Sequence, residues 1–107
     1  MSYKVAQSNP AASTPANLYT VPSATSAVIS TLTVCNFGTA VAVYDLRIRP
    51  AGATATDAHL LASGVAIAPN ETAFITAGVA LSATDVVTVE ADTDDVTFMA
   101  FVSEISD

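Results

Sequence analysis

Short apolar runs that end in turn-forming residues, at intervals of roughly ten residues, constrain the fold of this chain more than any other feature. The run over residues 41–49 is the clearest, because Ala42, Tyr44, Leu46 and Ile48 fall on one face of a strand. Val, Ile and Thr make up 32 of the 107 residues. These β-branched side chains pack well on a pleated sheet. No segment shows an apolar stripe of helical period, so the pattern predicts an all-β chain.

Other runs along the chain have the same character. The predicted strands cover residues 18–21, 27–36, 41–49, 59–62, 64–67, 72–77, 86–91 and 96–102. In the last of these, Val96, Phe98 and Val102 share one face, whereas Met99 and Phe101 lie on the other. The run 27–36 is apolar on both faces, which is typical of a central strand that is covered on both sides. About seven or eight short strands at this spacing predict an antiparallel β-sandwich, either Ig-like or jelly-roll-like.

The chain is predicted to contain one domain, residues 18–107, preceded by an extended N-terminal arm, residues 1–17. Residues 3–6 within the arm have the composition of a short strand. Pro10 and Pro15 follow, and proline cannot donate a hydrogen bond to a strand ladder. Two interpretations stay open, a loose terminus or an arm that docks on a neighbouring subunit.

Charge composition argues against several classes of partner. Three Lys and Arg stand against ten Asp and Glu, which gives a net charge of −7. A chain with so few cations lacks the basic surface that grips nucleic-acid phosphates or anionic membranes, so neither partner is expected. The first ten residues lack the apolar core of a signal peptide, and no window is apolar enough to predict a membrane span.

Residues that could carry chemistry are few. The one Cys excludes an internal disulfide, and one Cys with one His cannot complete a structural zinc site. His59 is interpreted as a surface or packing residue, and Cys35, within an apolar strand, as a core residue. Asp92, Asp94 and Asp95 are interpreted as a solvated turn, with a calcium site as the alternative, although the spacing departs from the EF-hand pattern. We therefore expect no enzymatic activity, no catalytic residue, no cofactor and no metal.

The residues that face outwards favour protein–protein contact. Arg47 and Arg49 lie two positions apart on one strand face, and Arg is enriched at interfaces. Met99 and Phe101 occupy the strand face opposite Phe98, where they cover a second layer or mark a subunit contact. The predicted interface residues, including those of the arm, are Tyr3, Lys4, Val5, Arg47, Arg49, Met99 and Phe101.

Several segments carry a resemblance to a known class of proteins. They are residues 1–5 (MSYKV), 18–22 (LYTVP), 30–36 (STLTVCN), 49–53 (RPAGA), 67–72 (IAPNET), 81–87 (LSATDVV) and 101–105 (FVSEI). In this order they resemble small virion proteins of tailed bacteriophages, especially phages of aquatic bacteria. The resemblance lies in turns and strands rather than in a catalytic motif. It implies a β-sandwich structural component placed on the capsid or the tail.

This resemblance implies a capsid decoration (cement) protein, which binds the shell in many copies, stabilises it and associates with itself. Its partners would be further copies and a major capsid or tail protein, and its location the virion, assembled in the cytoplasm of the bacterial host. An alternative is an accessory domain of the tail, baseplate or tail fibre, with a role in attachment to host glycans. The absence of Trp and the placement of Tyr and Phe within strands count against a glycan platform. A small hydrolase is a third possibility, which needs paired ionisable groups in a pocket.

Overall fold

A computed structural model describes residues 1–76 and 78–107 of the chain. Within them, nine strands follow one another: β1 (Ser2–Ser8), β2 (Ala16–Thr20), β3 (Thr25–Asn36), β4 (Ala42–Arg49), β5 (Leu60–Ile67), β6 (Thr72–Ile75), β7 (Val79–Leu81), β8 (Val86–Ala91) and β9 (Val96–Ser106). Two 3-10 turns, Pro50–Gly52 and Asp57–His59, lie between β4 and β5. None of the helical elements in these two ranges is long and apolar enough to cross a membrane.

The strands form two antiparallel sheets that pack against each other. Sheet A has the order β1-β9-β3-β6, with β7 also beside β3, and sheet B has the order β2-β8-β4-β5. β6 and β7 pair in turn with the two halves of β3, so they behave as one interrupted strand. If they are counted as one, the orders become 1-8-3-6 and 2-7-4-5, which is the order of a jelly roll. The predicted antiparallel sandwich is confirmed. Of the two predicted types, Ig-like and jelly-roll-like, the strand order is that of the jelly roll.

The core lies between the inner faces of the two sheets, as the alternation of the strands predicts. Val96, Phe98 and Val102 of β9 are buried, as are Tyr44 and Leu46 of β4. The rings of Tyr44 and Phe98 meet edge to face across the two sheets, with centroids 6.1 Å apart and planes at 76°. Such pairs contribute about 0.5–1.5 kcal/mol beyond the area that they bury.

A β-bulge explains why the run 27–36 appeared apolar on both faces. The register of β3 against β9 shifts between Ile29 and Thr31, which leaves Ser30 as the extra residue. After such a bulge the alternation continues with one residue added, so positions that would have faced outwards face inwards instead. Ile29 and Leu32 consequently both face the core, although an uninterrupted strand would place them on opposite faces. β3 is a central strand as predicted, since β9 pairs with one edge and β6 and β7 with the other.

The N-terminal segment differs from the expectation of a separate arm. Residues 2–8 form β1, which pairs with β9 of the same chain from Ser2–Glu104 to Ser8–Phe98. The proposed boundary at residue 17 lies inside β2. The physical reason is that β9 extends to Ser106 and offers a full-length edge for β1.

Smaller differences concern strand ends and one side chain. The strands predicted over 59–62 and 64–67 are one strand, β5. Ala77, the predicted end of the run 72–77, lies outside the described residues. Cys35 was predicted to be a core residue, and this is wrong. It is half-buried on the outer side of sheet A, because its neighbours Val34 and Asn36 take the inward positions.

A buried asparagine joins the two sheets where β3 ends. The Asn36 side chain is fully buried. Its Nδ2 donates to the carbonyls of Ala40 at 2.8 Å and Ile67 at 3.0 Å, and its Oδ1 accepts from the N–H of Gly38 at 2.9 Å. Ile67 belongs to sheet B, so these bonds connect the sheets. A Cβ at position 38 would lie 2.6 Å from an oxygen of Asp95, so the turn requires glycine there.

We predict that Asn36→Ala lowers the free energy of unfolding by about 2–4 kcal/mol, because it removes the side-chain hydrogen bonds of two buried backbone groups and one partly buried group. Chemical denaturation with urea measures this loss. Asn17→Ala is the matched control. Asn17 is exposed, and its removal is expected to cost less than about 1 kcal/mol. Equal losses in the two variants would contradict the role assigned to Asn36.

Candidate interaction surface

The outer face of sheet A is an uncharged surface. Pairing of β1, β3, β6 and β7 with their neighbours defines which positions point away from the core. We call this surface the neutral face. Its residues are Tyr3, Val5, Gln7, Ser26, Val28, Ser30, Thr31, Thr33, Cys35, Thr72, Phe74, Ala80, Thr97, Met99, Phe101, Ser103 and Ile105. Among the outward positions that the structure describes in this sheet, none is Asp, Glu, Lys, Arg or His.

Large apolar side chains are exposed on the neutral face. Tyr3 is 79% exposed, Phe74 70% and Phe101 39%. Six exposed residues lie together on the half of the sheet that holds both chain termini, and we call them the apolar band. They are Met1, Tyr3, Val5, Val28, Phe101 and Ile105. Contiguous exposed apolar surface is uncommon on monomeric proteins and marks sites of interaction.

Two open grooves run along this band. One, of about 300 Å³, is lined by Tyr3, Val5 and Phe101 together with the hydroxyl residues Ser30 and Ser103. The bulge in β3 places Ser30 there, where its Oγ lies 3.4 Å from the carbonyl oxygen of Phe101. The second groove, of about 240 Å³, is almost entirely apolar. Its lining includes Met1, Val28 and Ile105.

The outer face of sheet B is charged and internally bonded. Arg49 donates to Thr88 Oγ1 at 2.9 Å, to Asn17 Oδ1 at 3.1 Å and to the carbonyl of Ala53 at 3.0 Å. Arg47 Nε lies 3.4 Å from the carbonyl oxygen of Thr56. Both guanidinium groups, which were predicted to lie at an interface, therefore contact carbonyl groups of the segment that connects β4 and β5.

The predicted interface residues thus fall into separate groups. Tyr3, Val5, Met99 and Phe101 come together on the neutral face. Arg47 and Arg49 lie on the opposite sheet. Lys4 lies between Tyr3 and Val5 in sequence, but its side chain points to the inner side of β1.

Lys4 takes part in a polar contact at the edge of the core. Its Nζ lies 3.1 Å from Glu104 Oε1, and Glu104 is buried. The Tyr19 hydroxyl, from sheet B, donates a short hydrogen bond to the other carboxylate oxygen. That hydrogen bond, followed by the bond and charge of Lys4, lowers the pKa of Glu104, although burial acts in the opposite direction. Burial and the Glu104 carboxylate raise the pKa of Tyr19, so its hydroxyl stays protonated.

The residues considered for chemistry have local structural contacts. Asp92 Oδ1 accepts from the N–H of Val43 at 2.9 Å. His59 Nδ1 accepts from the N–H of Thr56 at 3.2 Å, which closes the 3-10 turn that His59 ends. Across residues 1–76 and 78–107, no three His, Cys, Asp or Glu side chains are grouped so that they could hold a metal ion.

The sequence analysis missed part of the neutral face. Neither Phe74 nor Val28 was among the predicted interface residues. Tyr3 and Phe101 were, and both are exposed, as is Phe74. The placement of Tyr and Phe within strands had counted only against a glycan platform. The sequence carries no signal for Phe74, because Ala73, Phe74 and Ile75 are all apolar and only their exposure in β6 distinguishes them.

We predict that Glu104 makes folding stability fall on acidification. The folded state binds the proton of the Glu104 carboxyl more weakly than the unfolded chain does. The ionised carboxylate therefore contributes to folding stability above its ordinary pKa of 4.5. This contribution is lost as the pH falls through the lower folded value. Urea denaturation from about pH 6 to about pH 3 should show a smaller loss of stability in Glu104→Gln than in the unaltered chain.

Tyr19→Phe serves as the companion variant, because it keeps the carboxylate and removes its main hydrogen bond. It should show a loss of stability with pH that lies between those of the unaltered chain and Glu104→Gln. Identical pH dependence in all three proteins would contradict the assigned role of the Tyr19–Glu104–Lys4 contact.

No protein-family model, curated protein or solved structure matches the chain.

Proposed function

We propose that this chain is a non-enzymatic structural protein of a bacteriophage virion, a capsid decoration (cement) protein that binds the shell in many copies and stabilises it. The observation that carries this proposal is the neutral face. A sheet face with exposed aromatic and aliphatic side chains and no charge is suited to burial against protein.

Two further considerations support the proposal. The segments from residue 1 to residue 105 that resemble small phage virion proteins lie in the strands and turns of the sandwich. Jelly rolls also occur among viral capsid domains, although this is an analogy of fold, since lectins and cupins share the architecture. The first and last strands, β1 and β9, pair with each other in sheet A. A rigid core with both terminal strands held in this way suits a protein whose role is mechanical.

A second candidate is an accessory domain of the tail or tail fibre that attaches to host glycans. The exposure of Tyr3 and Phe101 beside the hydroxyls of Ser30 and Ser103 favours it, because sugar sites combine aromatic surfaces with polar groups. We rank it second because the second groove of the band is almost entirely apolar.

The first test measures copy number and position. Quantitative mass spectrometry of purified particles, with immunogold labelling, should find copies on the order of hundreds spread over the head, as symmetric shells require. A few dozen copies at the tail would favour the second candidate. Absence of the protein from particles would contradict both.

The second test measures stabilisation. Adding the protein to particles stripped of it should restore their resistance to heat, whereas unchanged resistance would contradict the cement role. We expect Phe74→Asp to bind stripped particles more weakly, because it places a charge on the neutral face. Leu61→Asp, an exposed position on sheet B, is the matched control and should bind normally. Equal binding by both variants would show that the neutral face is not used.

A further inference from the structure

We infer that the neutral face is covered by a second copy of this chain, in a face-to-face dimer that stacks sheet A on sheet A. The inference rests on the proposed role of this face as a docking surface, and it names a second copy rather than the shell protein as the occupant. On this inference Phe74→Asp weakens binding to particles through loss of the dimer. The two-layer sandwich of one copy would become four layers, with adjacent sheets about 10 Å apart.

The distribution of charge favours a second copy. Each chain carries a net charge of −7, so two copies repel each other wherever their acidic surfaces meet. The neutral face keeps those charges away from the contact. Lys4 and Glu104, which are paired with each other, line the two grooves from the inner side of their strands. At the rim, the Asp107 carboxylate accepts from Ser26 Oγ at 2.8 Å. A basic or acidic partner would instead be expected to select a face of opposite charge, and this face offers none.

The size of the face is also sufficient. The molecule measures 44 × 27 × 20 Å, and its shortest dimension fits two stacked sheets. A rectangle of 44 × 27 Å that bounds the broad side of the molecule encloses about 1,200 Å², which is an upper limit for the area of the neutral face. A stable protein–protein interface buries about 800 Å² on each partner, so partial overlap of two such faces is enough.

The arrangement of residues is compatible with twofold symmetry. In an isologous dimer the same patch serves both copies. Val5 and Phe101 are directly paired across β1 and β9, and Phe101 is next to Thr31 of β3, so Phe101 lies inside the face rather than at its rim. A twofold axis that crosses the strands near Phe101 sets one apolar band against the other.

Sedimentation equilibrium of the purified chain tests the inference. The expected mass is twice the 10.8 kDa of one chain, and Phe101→Asp should raise the dimer dissociation constant at least about 30-fold, as expected at the centre of an interface. Leu61→Asp is the control. Leu61 is 41% exposed and Phe101 39%, and both substitutions add one negative charge, but Leu61 lies on sheet B. Its dissociation constant should stay within about threefold of that of the unaltered chain.

Tyr3→Asp covers the case in which Phe101→Asp fails to fold. Tyr3 is 79% exposed on the edge strand, so an acidic residue there is tolerated by the fold, and urea denaturation verifies this. It should weaken the dimer as well. A monomer at concentrations up to about 1 mM would overturn the inference. So would an oligomer that neither neutral-face variant weakens.

The outcomes separate this inference from the proposed function. A monomer that still binds and stabilises stripped particles retains the cement role and assigns the neutral face to the shell protein. A dimer through the neutral face that neither binds particles nor occurs in them retains the dimer and removes the cement role.

Discussion

The pairing of β3 with β9 is the constraint on which the rest of the sandwich depends. The two strands pair from Thr25–Ser106 to Asn36–Val96, so they form the centre of sheet A. Because side chains alternate, each core residue in this ladder commits its neighbour to the outer face. The register of β3 against β9 therefore determines both which Val and Phe side chains of β9 are buried and which residues are exposed on the neutral face. A slip by one residue would exchange them.

Two buried polar contacts stand at opposite ends of this ladder. Asn36 joins sheet A to sheet B at one end, and Glu104, with Tyr19 of sheet B, joins them at the other. Burial of one face already disfavours a one-residue slip, and the hydrogen-bonded groups add a directional requirement at each end of the ladder. The contacts thus hold both ends of the neutral face in a fixed geometry. A rigid surface loses less entropy on binding, which suits association with a partner.

Much of this fold could be predicted from the sequence. Alternation identified the buried faces of β4 and β9, and the spacing of turns identified a sandwich. The bulge at Ser30 could not be read from local pattern, because it depends on pairing with a strand some seventy residues away. Residues 3–6 were predicted to be able to form a short strand, but the same dependence hid the place of β1 in sheet A, which comes from the full length of β9. Phe74 was missed because a single exposed Phe in a four-residue strand has no periodic signal of its own.

The two arginines have partners that the sequence does not show. Arg is enriched at interfaces, and the fork of Arg49 is bonded within the chain to Thr88, Asn17 and the carbonyl of Ala53. The boundary of the neutral face appears only when the strands are placed side by side. Sequence could identify Phe101 as outward-facing. It could name Tyr3, Val5 and Met99 as outward residues too, but not that they share a face with Phe101 and Phe74, because that depends on the pairing of strands far apart in the chain.

Hydroxyl-radical footprinting, in dilute solution and in the assembled state, tests most directly whether the protein associates through the neutral face. Oxidation of Tyr3, Phe74 and Phe101 is expected to fall on assembly, while Leu61 on sheet B reacts at an unchanged rate. Unchanged oxidation of the three aromatic residues in the assembled state would contradict the claim that the neutral face is the surface through which this protein associates.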